Sequence, residues 1–113
     1  MILFGLAKRF MPHIGVLDGY VCMEGRGPVD GDPVKMGIAV AGTDVIAVDA
    51  VGAALMGIEP SDIGYLYYCS MNGLGRGNLK DIEIVGNTSL EENTRKFRMH
   101  PEFERQLGWK QDK

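Results

Sequence analysis

Residues 37–57, GIAVAGTDVIAVDAVGAALMG, decide the fold of this chain. The first part is an apolar run, which predicts a short buried strand, and the rest predicts a buried helix over about 43–57. Thr43 is the predicted N-cap, because its side-chain oxygen can accept a backbone N–H one turn into the helix. Asp44 then lies in the first turn, where its charge suits the helix dipole, and Gly57 ends the helix.

The predicted helix has no polar face. On a helical wheel Val48, Val51 and Leu55 form a bulky stripe, and small or apolar residues fill most of the remainder. A helix that is apolar all round is buried, so Asp49 in its second turn needs a partner. Two interpretations of Asp49 stay open. It is either a structural carboxylate that accepts N–H groups from a glycine-rich turn, or an acid of an active or ligand-binding site.

Around this unit the sequence predicts an α/β fold with a small mixed or mostly parallel sheet. Because the organising strand is a continuous apolar run, we expect both of its faces to be covered. Before the organising unit, the sequence predicts the end of a helix over 2–10, which Pro12 stops, and a strand over 14–21. After it come a second helix over about 62–72, a half-exposed strand over 81–85 and a charged helical tail over 87–113. We expect the tail to dock on the body through Phe97, Phe103, Leu107 and Trp109.

A loop is predicted over residues 23–33, because three glycines and two prolines lie within it. In one interpretation the loop and the preceding Asp18 form a ligand site, where backbone N–H groups hold an anion or carboxylates hold a hard cation. In the other it is a surface turn whose charges are solvated, with Glu24 and Arg26 pairing weakly. The candidate ligand-binding residues of the whole chain are Asp18, Glu24, Gly25, Arg26, Gly27, Asp32, Asp49 and Arg76.

Arg76 lies in a second glycine-rich run, GLGRGN at residues 73–78. This run follows a predicted helix and precedes a predicted strand, whereas a dinucleotide fingerprint follows a strand and opens a helix. We therefore interpret it as a turn, with Arg76 as a candidate anion contact. The chain also lacks the G-x-S-x-G and H-E-x-x-H motifs, so no reaction is indicated.

The chain has 113 residues and a net charge of −3, which predicts a single domain over 1–113. The acidic balance argues against binding to nucleic acid or to an anionic membrane, and the apolar N-terminal segment is too short to cross a bilayer. Cys22 and Cys69 lie far apart, which excludes a zinc ribbon or an iron–sulfur cluster built within this chain. We expect reduced thiols, a cytoplasmic protein, no metal site and no cofactor.

Several motifs in order along the chain resemble the domain of unknown function 362 family. They are DG at 18–19, MEGRGP at 23–28, GDP at 31–33, GTDVIAVDA at 42–50, MG at 56–57, GLG at 73–75 and IEIVG at 82–86. Members of that family are longer at the N-terminus, so the resemblance implies that this chain corresponds to the C-terminal part of the family domain. Many members carry an appended ferredoxin-type module, whose cysteine run is absent here.

Two functional hypotheses follow. In the first, the chain is a non-catalytic or partial domain whose glycine-rich acidic loop helps to form a ligand site or an assembly interface. It then forms a homo-oligomer, or a partner chain supplies a missing N-terminal portion. In the second, it is an enzyme of unknown reaction that acts on a small anionic substrate, with a metal or anion site at the 18–32 loop.

Overall fold

A computed structural model describes residues 2–112 of the chain. The described residues form a two-stranded sheet and five α-helices, joined by short 3-10 helices. The elements are α1 (Ile2–Ala7), β1 (Gly15–Arg26), β2 (Asp30–Gly42), α2 (Val45–Leu55), α3 (Gly64–Met71), α4 (Leu90–Asn93) and α5 (Phe103–Gln106), with 3-10 helices at Pro60–Asp62, Leu79–Asp81 and Leu107–Asp112. In this range, no helix is long and apolar enough to cross a membrane.

The sheet is an antiparallel hairpin. Strand β1 pairs with β2 from Gly15 opposite Gly42 to Arg26 opposite Asp30, with an irregularity between Gly19 and Val21. The predicted α/β class with a small sheet is confirmed. The two strands are antiparallel and not parallel, because a short turn joins them directly and a parallel pair would need a crossover.

The predicted loop over residues 23–33 is wrong. Most of these residues belong to the distal end of the hairpin, and only residues 27–29 form its turn. Glycine and proline are typical of loops, but the ladder continues through Met23 opposite Pro33 and Gly25 opposite Gly31. An edge strand tolerates proline because its N–H need not join the ladder.

Helix α2 is buried, as its composition predicts. Its buried residues are Ile46, Val48, Ala50, Val51, Gly52, Ala53 and Leu55. The N-cap is Asp44, whose Oδ1 accepts the backbone N–H of Ala47 at 3.0 Å, and not Thr43. The prediction placed the cap one residue too early because both side chains can accept this bond. Gly57 follows the C-cap Met56 with φ +80°, as expected of the residue that ends a helix.

A second apolar cluster forms where α1 and α3 meet α2. Ile46 of α2 packs with Leu66 and Cys69 of α3, and Phe4 of α1 lies against them. The predicted second helix therefore exists. It begins at Gly64, after a 3-10 helix, and ends before Asn72. Cys22 and Cys69 are free thiols, and burial raises the pKa of the Cys69 thiol.

The strand predicted over 81–85 is not formed in the structure. A 3-10 helix ends at Asp81, and the following residues run without a ladder partner. Alternation of polar and apolar residues favours a strand only where a neighbouring strand can pair with it. The tail combines short helices with an irregular segment over residues 94–100. Phe97 is buried at 4% exposure, and the Trp109 ring lies 5.3 Å from that of Tyr67, so the predicted docking through these two residues is confirmed.

Candidate functional site

The structure distributes the predicted site residues over separate places. Glu24, Gly25 and Asp32 meet at the distal end of the hairpin. Asp18 lies elsewhere on β1, is exposed, and accepts the backbone N–H of Tyr20 at 3.0 Å. This local hydrogen bond lies next to the register irregularity between Gly19 and Val21, and Asp18 does not join the residues at the hairpin end. Arg26 and Gly27 lie at the turn, where Arg26 is exposed.

Arg98, which the sequence did not single out, joins the distal end of the hairpin to the tail. Its backbone N–H donates to Glu24 Oε2 at 2.9 Å, and its carbonyl accepts the N–H of Gly25 at 2.7 Å. Its guanidinium donates to Asp32 and lies 4.0 Å from Glu24 Oε1. The tail therefore makes both main-chain and ionic contacts with the acidic hairpin end.

Gly25 makes this approach possible. Its φ is +78°, a conformation that favours glycine, and a Cβ there would lie 2.7 Å from Arg98 Nη2. The pairing with Asp32 raises the pKa of Arg98. All three charged side chains are at least partly exposed, so salt screens their attraction. The acids at the hairpin end are thus already matched by a cation of the same chain.

A metal site is not formed by the acids of the described residues. No group of three or more histidine, cysteine, aspartate or glutamate side chains is arranged to hold an ion there. The hairpin end carries Glu24 and Asp32 as a pair, and both contact Arg98. This arrangement suits a structural clasp between strand and tail better than cation coordination.

The tail also fastens to the end of α2. The backbone N–H of Arg95 donates to the Leu55 carbonyl at 2.9 Å, and that of Phe97 donates to the Met56 carbonyl at 3.0 Å. These bonds satisfy carbonyls that a helix end leaves without intrahelical partners. A Cβ at Gly57 would lie 3.0 Å from the Cα of Lys96, so glycine allows the tail to approach.

Asp49 has a phenolic partner. The Tyr65 hydroxyl of α3 donates to Asp49 Oδ2 at 2.8 Å, so the interpretation that a glycine-rich turn supplies its hydrogen bonds is wrong. Tyr65 comes sixteen residues later, and no local pattern links the two. Burial and the bond to Asp49 raise the pKa of Tyr65 well above its usual range, which keeps the hydroxyl proton available for donation.

Asp49 and Tyr65 line a cavity of about 390 Å³ between the hairpin and helices α2 and α3. Phe97, which precedes Arg98 in the tail, contributes to the wall of this cavity. The cavity is lined mostly by apolar side chains, and Asp49 is the one carboxylate among its lining residues.

Asp44 and Arg76 meet at another place. The Arg76 backbone N–H donates to Asp44 Oδ2 at 2.8 Å, and its guanidinium donates to the Asp81 carbonyl at 3.2 Å. Arg76, the candidate anion contact, therefore stabilises the turn after α3. Asp44 serves two elements at once, because its other oxygen caps α2.

Replacing Asp44 with alanine is expected to lower the free energy of unfolding by about 0.5 to 2 kcal/mol, because both the cap and the bond to the turn are lost. The measurement is urea denaturation followed by circular dichroism. Thr43→Ala, one residue earlier, is the matched control and should change stability by less than about 0.5 kcal/mol, as exposed positions usually do. An equal loss in Thr43→Ala would contradict the assignment of the cap to Asp44 alone.

A larger groove, of about 620 Å³, lies on the other side of α2. One wall is β2 from Ile38 to Gly42, and the opposite wall is the irregular segment 82–90. Ala47, Val48 and Val51 of α2 contribute apolar side chains between the walls. Among the described strands β2 pairs with β1 alone, so its second edge has no ladder partner.

Comparison with known proteins relates part of the chain to a family. Residues 2–54 match the model of a family described as a domain of unknown function, DUF362. The thylakoid-associated protein sll1697 of Synechocystis sp. is 39% identical over 57 residues, which are 50% of this chain and 18% of that protein. The chain therefore spans less than a fifth of the length of this relative. No solved structure matches the chain. The family match confirms the resemblance for the motifs between residues 18 and 50, and residues 2–54 are related to the DUF362 family.

Proposed function

We propose that this chain is a non-catalytic assembly module that extends its sheet by pairing β2 with β2 of a second copy. The observation that carries the proposal is the second edge of β2, which lines the groove and has no ladder partner in the described residues. Unpaired strand edges present rows of N–H and C=O groups that readily pair with another chain.

The groove fits an extended polypeptide. Its β2 wall offers main-chain groups over Ile38–Gly42, and Ala47, Val48 and Val51 offer an apolar surface beside them. The backbone of an extended strand can form hydrogen bonds with these main-chain groups, and every second side chain of that strand can pack on the apolar surface. A hairpin of two strands alone is marginal in water, and additional strands stabilise it.

The symmetry of a dimer favours a second copy as the partner. Two identical edges related by a two-fold axis run antiparallel, which is the direction that β1 and β2 already use. The hairpin also exposes large apolar side chains, with Val16 at 74% and Tyr20 at 61% exposure. Such apolar surface is typical of interaction sites.

Sedimentation equilibrium on the full chain tests the proposal. We expect a dimer for the unchanged protein. Ala47→Trp, which fills the groove, should shift it to monomer. Ala54→Trp is the matched control, because Ala54 lies on the same helix, is half-buried like Ala47, and lines neither cavity. A monomer at every concentration, or a dimer unaffected by Ala47→Trp, contradicts the proposal.

Hydrogen exchange locates the interface. In the dimer, those amides of residues 38–42 that point away from β1 should exchange slowly, and Ala47→Trp should make them exchange quickly. The amides that pair with β1 should be equally protected in both proteins, because the hairpin does not depend on the interface. Equal exchange of the outer edge in both proteins would place the contact elsewhere.

The alternative proposal is an enzyme that acts on a small anionic substrate at the 18–32 segment. Its support is the cluster of Glu24, Asp32 and Arg98, which brings opposite charges together at the hairpin end. The guanidinium of Arg98 would be the anion-binding group. Because Glu24 and Asp32 already contact the guanidinium, an anion must displace both carboxylates. The groove beside β2 is therefore the better supported site.

A further inference from the structure

The cavity that Asp49 and Tyr65 line is distinct from the groove beside β2. It lies under the inner face of the hairpin, where Leu17 and Ile38 project, and its other walls come from α2, α3 and the tail. Its volume is about 390 Å³, within the range of small-molecule sites in proteins. Met36, Ala53 and Phe97 add to its apolar lining.

The charge in this cavity is not balanced. No lysine, arginine or histidine among the described residues lines it, whereas the Asp49 carboxylate does. The Tyr65 hydroxyl donates to Oδ2, and among the described residues no other group donates to Asp49. Asp49 is half-buried among the mostly apolar side chains that line the cavity. Its Oδ1 accepts no hydrogen bond from the described residues, so it can accept one from a ligand.

We propose that this cavity binds a small apolar ammonium compound, such as an alkyl or arylalkyl amine in its protonated form. The ammonium donates hydrogen bonds to Asp49, and the apolar body fills the space between Leu17, Ile38 and Phe97. A hydrogen bond between two charged groups is stronger than one between neutral groups. Tyr65 holds the carboxylate in place from the opposite oxygen and is a positioning residue.

Calorimetric titration of the full chain with three ligands of equal length tests the charge requirement. The probes are hexylammonium, hexanol and hexanoate. Hexylammonium should bind at least about tenfold more tightly than hexanol, which corresponds to about 1.4 kcal/mol. Hexanoate should not bind, because like charges repel. Equal affinity for hexylammonium and hexanol, or no binding of hexylammonium, overturns the proposal.

Two variants assign the effect to the residues. Asp49→Asn keeps the shape of the side chain and should abolish the preference for hexylammonium over hexanol. Asp18→Asn removes a charge from an exposed carboxylate outside the cavity and should keep the preference. If Asp49→Asn retains it, the ammonium binds elsewhere and the proposal fails. Circular dichroism checks folding, and the comparison of ligands on the unchanged protein decides the matter if Asp49→Asn does not fold.

Discussion

Replacing Phe97 with alanine is expected to lower the free energy of unfolding by about 3 to 5 kcal/mol. The ring is 4% exposed, and its backbone N–H donates to the Met56 carbonyl at the end of α2. Truncation removes buried apolar surface and leaves a cavity. The backbone hydrogen bond of residue 97 can remain, but it does not replace the lost packing of the ring. Domains of this size are stable by about 5 to 15 kcal/mol, so the loss is a large fraction of the total.

Urea denaturation measures this loss, and hydrogen exchange shows where it acts. The amides of Arg95 and Phe97, which bond to α2, should lose protection before those inside α3. Phe10→Ala is the matched control, because Phe10 is 72% exposed and its truncation should change stability little. If Phe97→Ala costs no more than Phe10→Ala, the tail does not stabilise the body.

Replacing Leu66 with alanine is expected to cost about 2 to 5 kcal/mol. Leu66 is 1% exposed and packs with Ile46 and Cys69 at the junction of α2 and α3. Its truncation leaves a cavity among helices that are held by apolar contacts, and these can close it only partly. The midpoint of urea denaturation should fall, while the slope of the free energy of unfolding against urea concentration stays the same.

Leu6→Ala is the matched control for Leu66→Ala. Leu6 lies on α1 and is 51% exposed, so the same chemical change there should have a small effect. A loss in Leu66→Ala that merely equals that in Leu6→Ala would mean that α3 does not pack on α2 as described. Phe97 is not part of the cluster that Leu66 forms with Ile46 and Cys69, so the double variant should show nearly additive losses.

The clasp formed by the tail pairs the charges at the hairpin end within the chain. Glu24 and Asp32 look like ligand groups when the sequence places them in a loop. In the structure they face Arg98, which follows Glu24 by 74 residues. No spacing rule connects residues so far apart, and a tail rich in charge gives no reason to choose Arg98 over its neighbours Arg95 and Lys96.

The sequence was a good guide to the helices. For α2 the all-round apolar composition, a capping side chain at its start and Gly57 at its end were sufficient, because helix formation depends on neighbours within a few residues. The error of one residue at the cap came from two adjacent side chains of equal capping ability. The second helix likewise lies close to its predicted bounds, and Gly73, which follows its C-cap Asn72, has φ +72°.

The sheet could not be determined in this way, because strands are stabilised by partners distant in sequence. Glycine and proline predict a loop over residues 23–33, although most of these residues pair across a hairpin. Residues 81–85 alternate like a strand, although no described strand pairs with them. The antiparallel direction of the pairing follows from the short turn at residues 27–29. The many glycines and prolines around this turn predict a longer loop instead.

What the sequence by itself determined is the helices α1, α2 and α3, the burial of α2 and the relation of residues 2–54 to the DUF362 family. These depend on local hydrogen bonds, on periodicity and on motifs. Only the tertiary structure decided which polar groups meet. Tyr65 reaches Asp49 and Arg98 reaches Glu24 because packing of the apolar faces brings α3 and the tail against α2 and the hairpin. Polar partners that are distant in sequence are therefore set by this packing, and no local sequence pattern identifies them.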